Sequence, residues 1–156
     1  MIFPFVQSEN LEGRLFTLPK DLEGEFNVLF IAFQREQQID IDSWLLFVKQ
    51  QVKQYPALAY YELPTIHRGN PFFRWGLNAG MRMGIPDKKA REVTITLYLD
   101  KKAFRKALNI PDEERINVLL VNSKGEVLWR VEGPFNEAKG RDLKQAIASQ
   151  LVQQTS

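Results

Sequence analysis

Cysteine is absent from this chain, histidine occurs once, and no apolar run approaches the length of a membrane span. Each absence removes a class of function. Without a thiol there is no disulfide, no thiolate metal ligand and no cysteine nucleophile. A lone imidazole, His67, leaves too few nitrogen or sulfur donors for zinc, which takes three or four. A bilayer-crossing helix needs roughly 18 apolar residues or more, whereas residues 28–33 form a run of six. The opening Met1-Ile2-Phe3-Pro4-Phe5-Val6 is apolar but lacks a basic start and is broken by Pro4, so it does not read as a signal peptide. No Arg-rich transit segment follows, and the expectation is a soluble, cytoplasmic chain. Charge of one sign is also scarce: 21 Lys and Arg against 19 Asp and Glu leave a net +2. That is too little concentrated positive charge to argue for nucleic acid.

Apolar residues are plentiful. They make up 44% of 156 positions, enough for one ordinary domain with a real core. The chain is organised around residues 28–33, Val-Leu-Phe-Ile-Ala-Phe, which are bounded by Gly24 and a polar cluster and have no helical period. They read as a strand buried on both faces. Before it, residues 1–26 read as an extended lead-in, with 15–18 as a short edge strand stopped by Pro19. After it, Asp40 or Asp42 is placed to cap a helix whose apolar stripe is Ile41, Trp44, Leu45, Val48, Val52 and Tyr55. Pro56 ends that helix, and residues 57–63 form a second strand that Pro64 should end.

Asn70-Pro71 opens another helix by the same signals, stopping by Gly84-Ile85-Pro86. Alternation of Val93, Ile95, Leu97 and Leu99 with Thr94, Thr96 and Tyr98 predicts a strand over 92–99. Asp100 caps a short helix carrying Phe104 and Leu108. Residues 116–121 and 126–131 flank Asn122-Ser123-Lys124-Gly125, a hairpin turn. Asn136 caps the last helix, with Leu143, Ala146, Ile147, Leu151 and Val152 as its stripe. Alternating strands and helices predict an α/β domain: a central mixed sheet, helices on both faces, and a C-terminal β-hairpin plus helix. No internal repeat or linker divides residues 1–156.

This order resembles the thioredoxin-like fold, and the strand and helix over 92–108 resemble the insertion of peroxiredoxin-type members. Thioredoxins carry a Cys-x-x-Cys or a single cysteine after the first core strand, and a cis-proline before the hairpin. Here that first place holds Gln34-Arg35-Glu36-Gln37-Gln38, and Glu114-Arg115-Ile116-Asn117 has no proline. Thiol redox chemistry needs a thiol, so the resemblance implies a redox-inactive relative. A closer similarity lies in Phe3-Pro4, Leu11-Glu12-Gly13, the central strand 28–33, Asp42-Ser43-Trp44, Val118-Leu119-Leu120-Val121-Asn122, Gly125, Val127-Leu128-Trp129-Arg130 and Gly133. In that order they resemble the mitochondrial ATP synthase membrane-sector assembly factor family. The resemblance implies a non-catalytic, chaperone-like domain with no cofactor, whose protein partner is a membrane-embedded subunit of the synthase. Val131-Glu132 departs from the small residues the family tends to carry there.

Residues 66–91 concentrate the positive charge: Arg68, Arg74, Arg82, Lys88, Lys89 and Arg91 stand against Asp87 alone. Phe72, Phe73, Trp75, Met81 and Met83 are interleaved with them, and Gly76, Gly80 and Gly84 recur every four residues. A glycine inside a helix costs about 1 kcal/mol relative to alanine. Three at this spacing read as close packing on the domain's own sheet, as a loop needing positive φ, or as a docking face for a hydrophobic partner helix. In the second reading Arg74, Trp75, Gly76, Gly80 and Arg82 bind the partner, with the arginines held for lipid headgroups or acidic groups. Trp129 and Arg130 point to opposite faces of a strand. They read as a core residue and a solvated charge, or with Trp44 as a second part of the partner surface.

No catalytic or metal-ligating set emerges: His67 has no Asp, Glu or Ser at a triad or metal spacing, and the glycines match no phosphate-cradling motif. Arg35-Glu36 reads as a local ion pair. The rival function is a cysteine-independent enzyme or small-molecule binder that uses Arg35, Glu36 and His67 in the cleft after strand 28–33. A third is a peripheral membrane or nucleic-acid binder acting through residues 68–91.

Overall fold

The structure, a computed structural model, describes residues 1–68 and 84–155. Its centre is β3 (Phe26–Ala32), every residue of which is buried. An uninterrupted apolar run suits this place because both faces of the strand are covered. β4 (Leu58–His67) lies parallel to it on one side, and β5 (Leu97–Leu99) parallel to β4 beyond. On the other side β6 (Asn117–Asn122) and β7 (Val127–Glu132) continue antiparallel, giving the order β5-β4-β3-β6-β7. The expected mixed sheet with an antiparallel hairpin edge is therefore present.

One face carries α1 (Gln38–Gln54) and α4 (Glu137–Thr155). Ile41, Trp44 and Val48 from α1 meet Leu143 and Ile147 from α4 over Val28, Phe30, Val118 and Leu120. The stripe ends sooner than its period suggests: Val152 is 67% exposed. The opposite face is closed by the short helix α3 (Lys101–Ala107) and by the lead-in, which folds into a hairpin of β1 (Val6–Glu9) and β2 (Leu15–Leu18). Leu15–Leu18 pairs with β1 in a two-stranded sheet of its own, not with an edge of the main sheet. Asn10 Oδ1 makes that hairpin's turn by accepting from the N–H groups of Glu12 and Arg14. Phe3, Leu11, Phe16 and Leu18 are thereby buried.

Three local expectations are corrected. β4 does not stop at Pro64 but runs to His67. The carbonyl of Glu62 accepts from Ile95 N–H on the β5 side, and residues two apart in a strand share a direction. The N–H that Pro64 lacks would face that same side, where pairing with β5 begins only at Thr65. Residues 92 and 93 belong not to a strand but to α2 (Lys88–Val93), started by Asp87 Oδ1 accepting from Lys89 N–H. Arg91 closes its turn on the carbonyls of Ile85 and Pro86. α1 is capped by neither Asp40 nor Asp42: a 3-10 turn at Arg35–Gln37 leads into it, Gln37 stands at its N-cap without a side-chain cap bond, and the Gln37 side chain instead accepts from Gln34 N–H at the start of that turn.

The remaining caps are as the spacing predicts. Asp100 Oδ1 accepts from Ala103 N–H, and Asn136 Oδ1 from Lys139 N–H. Gly125 has φ +83°, and a Cβ there would lie 2.5 Å from Pro19 Cγ, so the β6–β7 turn requires glycine for both reasons.

Candidate functional site

The corner between β3 and α1 is held from within. Gln37, buried, accepts through Oε1 from the N–H of Phe33 at 2.8 Å and of Gln34 at 3.3 Å. The second contact is one half of a capping box. Its Nε2 donates to the carbonyl of Glu113 at 2.8 Å, and Gln34 Nε2 donates to the same oxygen at 2.8 Å. The Glu113 carboxylate is anchored in turn by Lys101 at 2.7 Å and Arg105 at 3.3 Å, both on α3. Two glutamines three residues apart thus tie the strand's carboxyl end to the segment leading into β6.

Beside this corner lies a carboxylate that sequence reasoning passed over. Glu62 on β4 is 6% exposed, and its Oε1 accepts from Gln38 Nε2 at 2.9 Å. The same nitrogen donates to Asp42 Oδ1 at 3.0 Å. Burial holds the Glu62 carboxyl above the usual carboxylate range, with Asp42 adding to the rise and the Gln38 hydrogen bond opposing it. The available signal was one acidic residue inside the otherwise apolar run 57–63.

A cleft of about 490 Å³ opens at the other end of β4. Leu58, Ala59, Tyr60 and Tyr61 line it, together with Val52 of α1, Lys89, Glu92 and Val93 of α2, and Asn10, Glu12, Arg14 and Phe16 of the hairpin. Arg14 pairs with Glu23 and stacks 4.5 Å over the Phe16 ring; Arg91 pairs with Glu12 at 2.5 Å. Burial pushes the Tyr60 phenol up to about 12. Tyr61 is raised for the same reason, and its hydroxyl oxygen accepts from Glu23 N–H.

The residues singled out from the sequence fall in different places. Arg74, Trp75, Gly76, Gly80 and Arg82, and the helix expected from Asn70, lie outside the described residues. Of the glycine series Gly84 is described, and a Cβ there would meet open space. Trp44 is fully buried and donates Nε1–H to the Gly133 carbonyl at 3.0 Å, so it cannot share a partner surface. Trp129 and Arg130 do occupy opposite faces. Trp129 packs half-buried on the α1–α4 side, and Arg130 donates to the Leu108 carbonyl at 2.5 Å on the other. Arg35, Glu36 and His67 are exposed, none of them lines the cleft, and Arg35 forms no ion pair with Glu36. Among the described residues no group of three or more His, Asp or Glu could hold a metal ion, and no helix is long and apolar enough to cross a membrane.

Sheet order, the crossover helix α1 and the closing hairpin and helix define a thioredoxin-like α/β domain, here without a thiol. Solved structures agree. Copper-bound yeast Sco1 superimposes with a TM-score of 0.60 at 14% identity, covering 95% of this chain and 93% of that one. A thiol-disulfide oxidoreductase from Bacteroides fragilis gives 0.57 at 12% identity, covering 93% and 98%. StoA from Bacillus subtilis gives 0.54 at 12%, covering 94% and 98%. No protein-family model matches the chain, and a search of the curated proteins finds no match.

Proposed function

We propose that this domain acts by protein contact rather than catalysis, assisting assembly of the membrane-embedded sector of an ATP synthase. One observation carries the non-catalytic part. The corner after β3, which in thioredoxins presents cysteine, holds Gln34 and Gln37, and both amides are engaged by the Glu113 backbone. It offers no thiol nucleophile and no redox couple. The copper in the yeast Sco1 structure would find no thiolate and a single imidazole in this chain. The partner reading is supported by the ordered similarity that runs from Phe3 through Trp44 to Gly133. It also draws on the basic, aromatic composition of residues 66–91 and on the half-exposed Trp129 and Arg130.

Affinity capture from detergent-solubilised membranes tests this. The tagged chain should enrich membrane-sector synthase subunits over a tag-only control, and Arg74→Ala/Trp75→Ala or Trp129→Ala/Arg130→Ala should lower the yield several-fold. Equal recovery with the control would remove the synthase partner. Turnover abolished by changing Arg35, Glu36 or His67 would remove the non-catalytic reading.

A further inference from the structure

Four consecutive residues of β4 line the 490 Å³ cleft. Successive side chains of a strand point to opposite faces, so a cleft that touches Leu58, Ala59, Tyr60 and Tyr61 together runs along the strand's edge. That edge is open. β5 joins β4 only at Thr65, and the last link before it is the bridge from Glu62 to Thr94.

The bonds on either side show which backbone groups face the opening. The Ala57 carbonyl accepts from Phe26 on the β3 side, and the Glu62 carbonyl accepts from Ile95 on the far side. Backbone direction alternates along a strand, so Leu58 and Tyr60 turn theirs outward with Glu62. Leu58 N–H is taken by the Tyr55 carbonyl at 3.0 Å. The Leu58 carbonyl and the Tyr60 N–H and carbonyl are left facing the slot, paired by neither β3 nor β5.

We propose that this slot takes an extended segment of a partner protein as an added strand, paired to the backbone of Tyr60. The inference rests on the protein-contact reading above and supplies its docking mode. An extended backbone is the ligand that offers an acceptor and a donor at strand spacing. The walls match its side chains: Val52 on one side of the sheet and Phe16 and Tyr61 on the other, with Val93 touching both cores, give apolar contacts on either side of the strand. The charges at the rim, Glu12, Glu23 and Glu92 against Arg14 and Lys89, nearly cancel, and Arg14 and Glu23 already neutralise each other. An uncharged backbone gives up only its bonds to water, which pairing with Tyr60 replaces, whereas an anionic headgroup or nucleic acid meets no net positive charge at this rim.

The probe is a displayed library of short linear peptides panned against the full chain, followed by NMR titration of the selected peptide. Its addition should shift the Tyr60 amide and slow that amide's hydrogen exchange about tenfold or more. N-methylating alternate peptide residues should weaken binding about tenfold in one register and little in the other, the cost of one buried backbone group left unpaired. Tyr60→Pro removes an N–H that faces away from β3 and should weaken binding similarly. Val52→Arg, at a half-exposed helix position, fills the slot and keeps the test decisive should the proline variant not fold.

Absence of any enriched peptide, or binding indifferent to Val52→Arg, overturns the slot. So do shifts that map to Trp129 rather than Tyr60, although these leave the protein-contact reading standing. Peptide binding at Tyr60 without capture of synthase subunits upholds the slot and removes that partner. Anionic vesicles that reproduce the Tyr60 shift would overturn the peptide as occupant.

Discussion

Gln34 and Gln37 direct their side-chain nitrogens at one backbone oxygen, the carbonyl of Glu113, each from 2.8 Å. The corner between β3 and α1 is therefore built as a joint. The polar atoms there satisfy buried backbone, which explains why a glutamine-rich stretch can follow the most apolar strand in the chain.

Gln37→Ala should be the costliest change at this joint. It leaves the N–H groups of Phe33 and Gln34 without their acceptor, at an expected loss of about 2–3 kcal/mol. Urea unfolding followed by tryptophan fluorescence reads it directly. A loss below about 0.5 kcal/mol would show that the corner is not held from within.

Glu113→Ala keeps the carbonyl but removes the carboxylate held by Lys101 and Arg105. Both ion pairs are partly sheltered, and the expected cost is about 1 kcal/mol. The more telling readout is hydrogen exchange: amides of residues 34–38 should exchange faster than in the parent, while those of β3 stay protected. Unchanged exchange at the corner would disconnect it from α3.

Glu62 links stability to pH. Its folded-state carboxyl titrates above the usual glutamate value of 4.5 because burial penalises the charged form. The folded state therefore holds this proton to higher pH than the unfolded state, and stability falls as pH rises from about 4.5 through the folded value. Glu62→Gln abolishes this term while keeping an acceptor for Gln38. The variant should gain stability over the parent progressively as pH rises above about 4.5, until the folded-state carboxyl has ionised. A parent-minus-variant difference that stays flat across the series, or runs the other way, contradicts the assignment.

Trp44 separates packing from hydrogen bonding. Trp44→Phe removes the bond to the Gly133 carbonyl and should cost about 1–3 kcal/mol. Trp44→Ala also empties a fully buried site against Phe30 and Phe135 and should cost about 3–5 kcal/mol. Thermal melts of both variants rank them, and equal losses would mean that the indole volume carries no weight.

Local chemistry was enough, from the residues alone, to place β3, the inward stripe of α1, the β6–β7 turn with Gly125, and the caps Asp100 and Asn136. Each depends on spacing within one element or on a side chain bonding its near neighbours, information a single chain carries in order. The same residues could not show that Gln34 meets Glu113, 79 positions away, or that Glu62 sits beside Gln38. Nor could they show that Pro64 stands in mid-strand because β5 starts late, or that residues 92 and 93 finish a helix. Those outcomes depend on which segments the packed sheet brings side by side. Among the described residues, long-range pairing also left the edge of β4 without a strand beside Tyr60, because β5 joins only from Thr65.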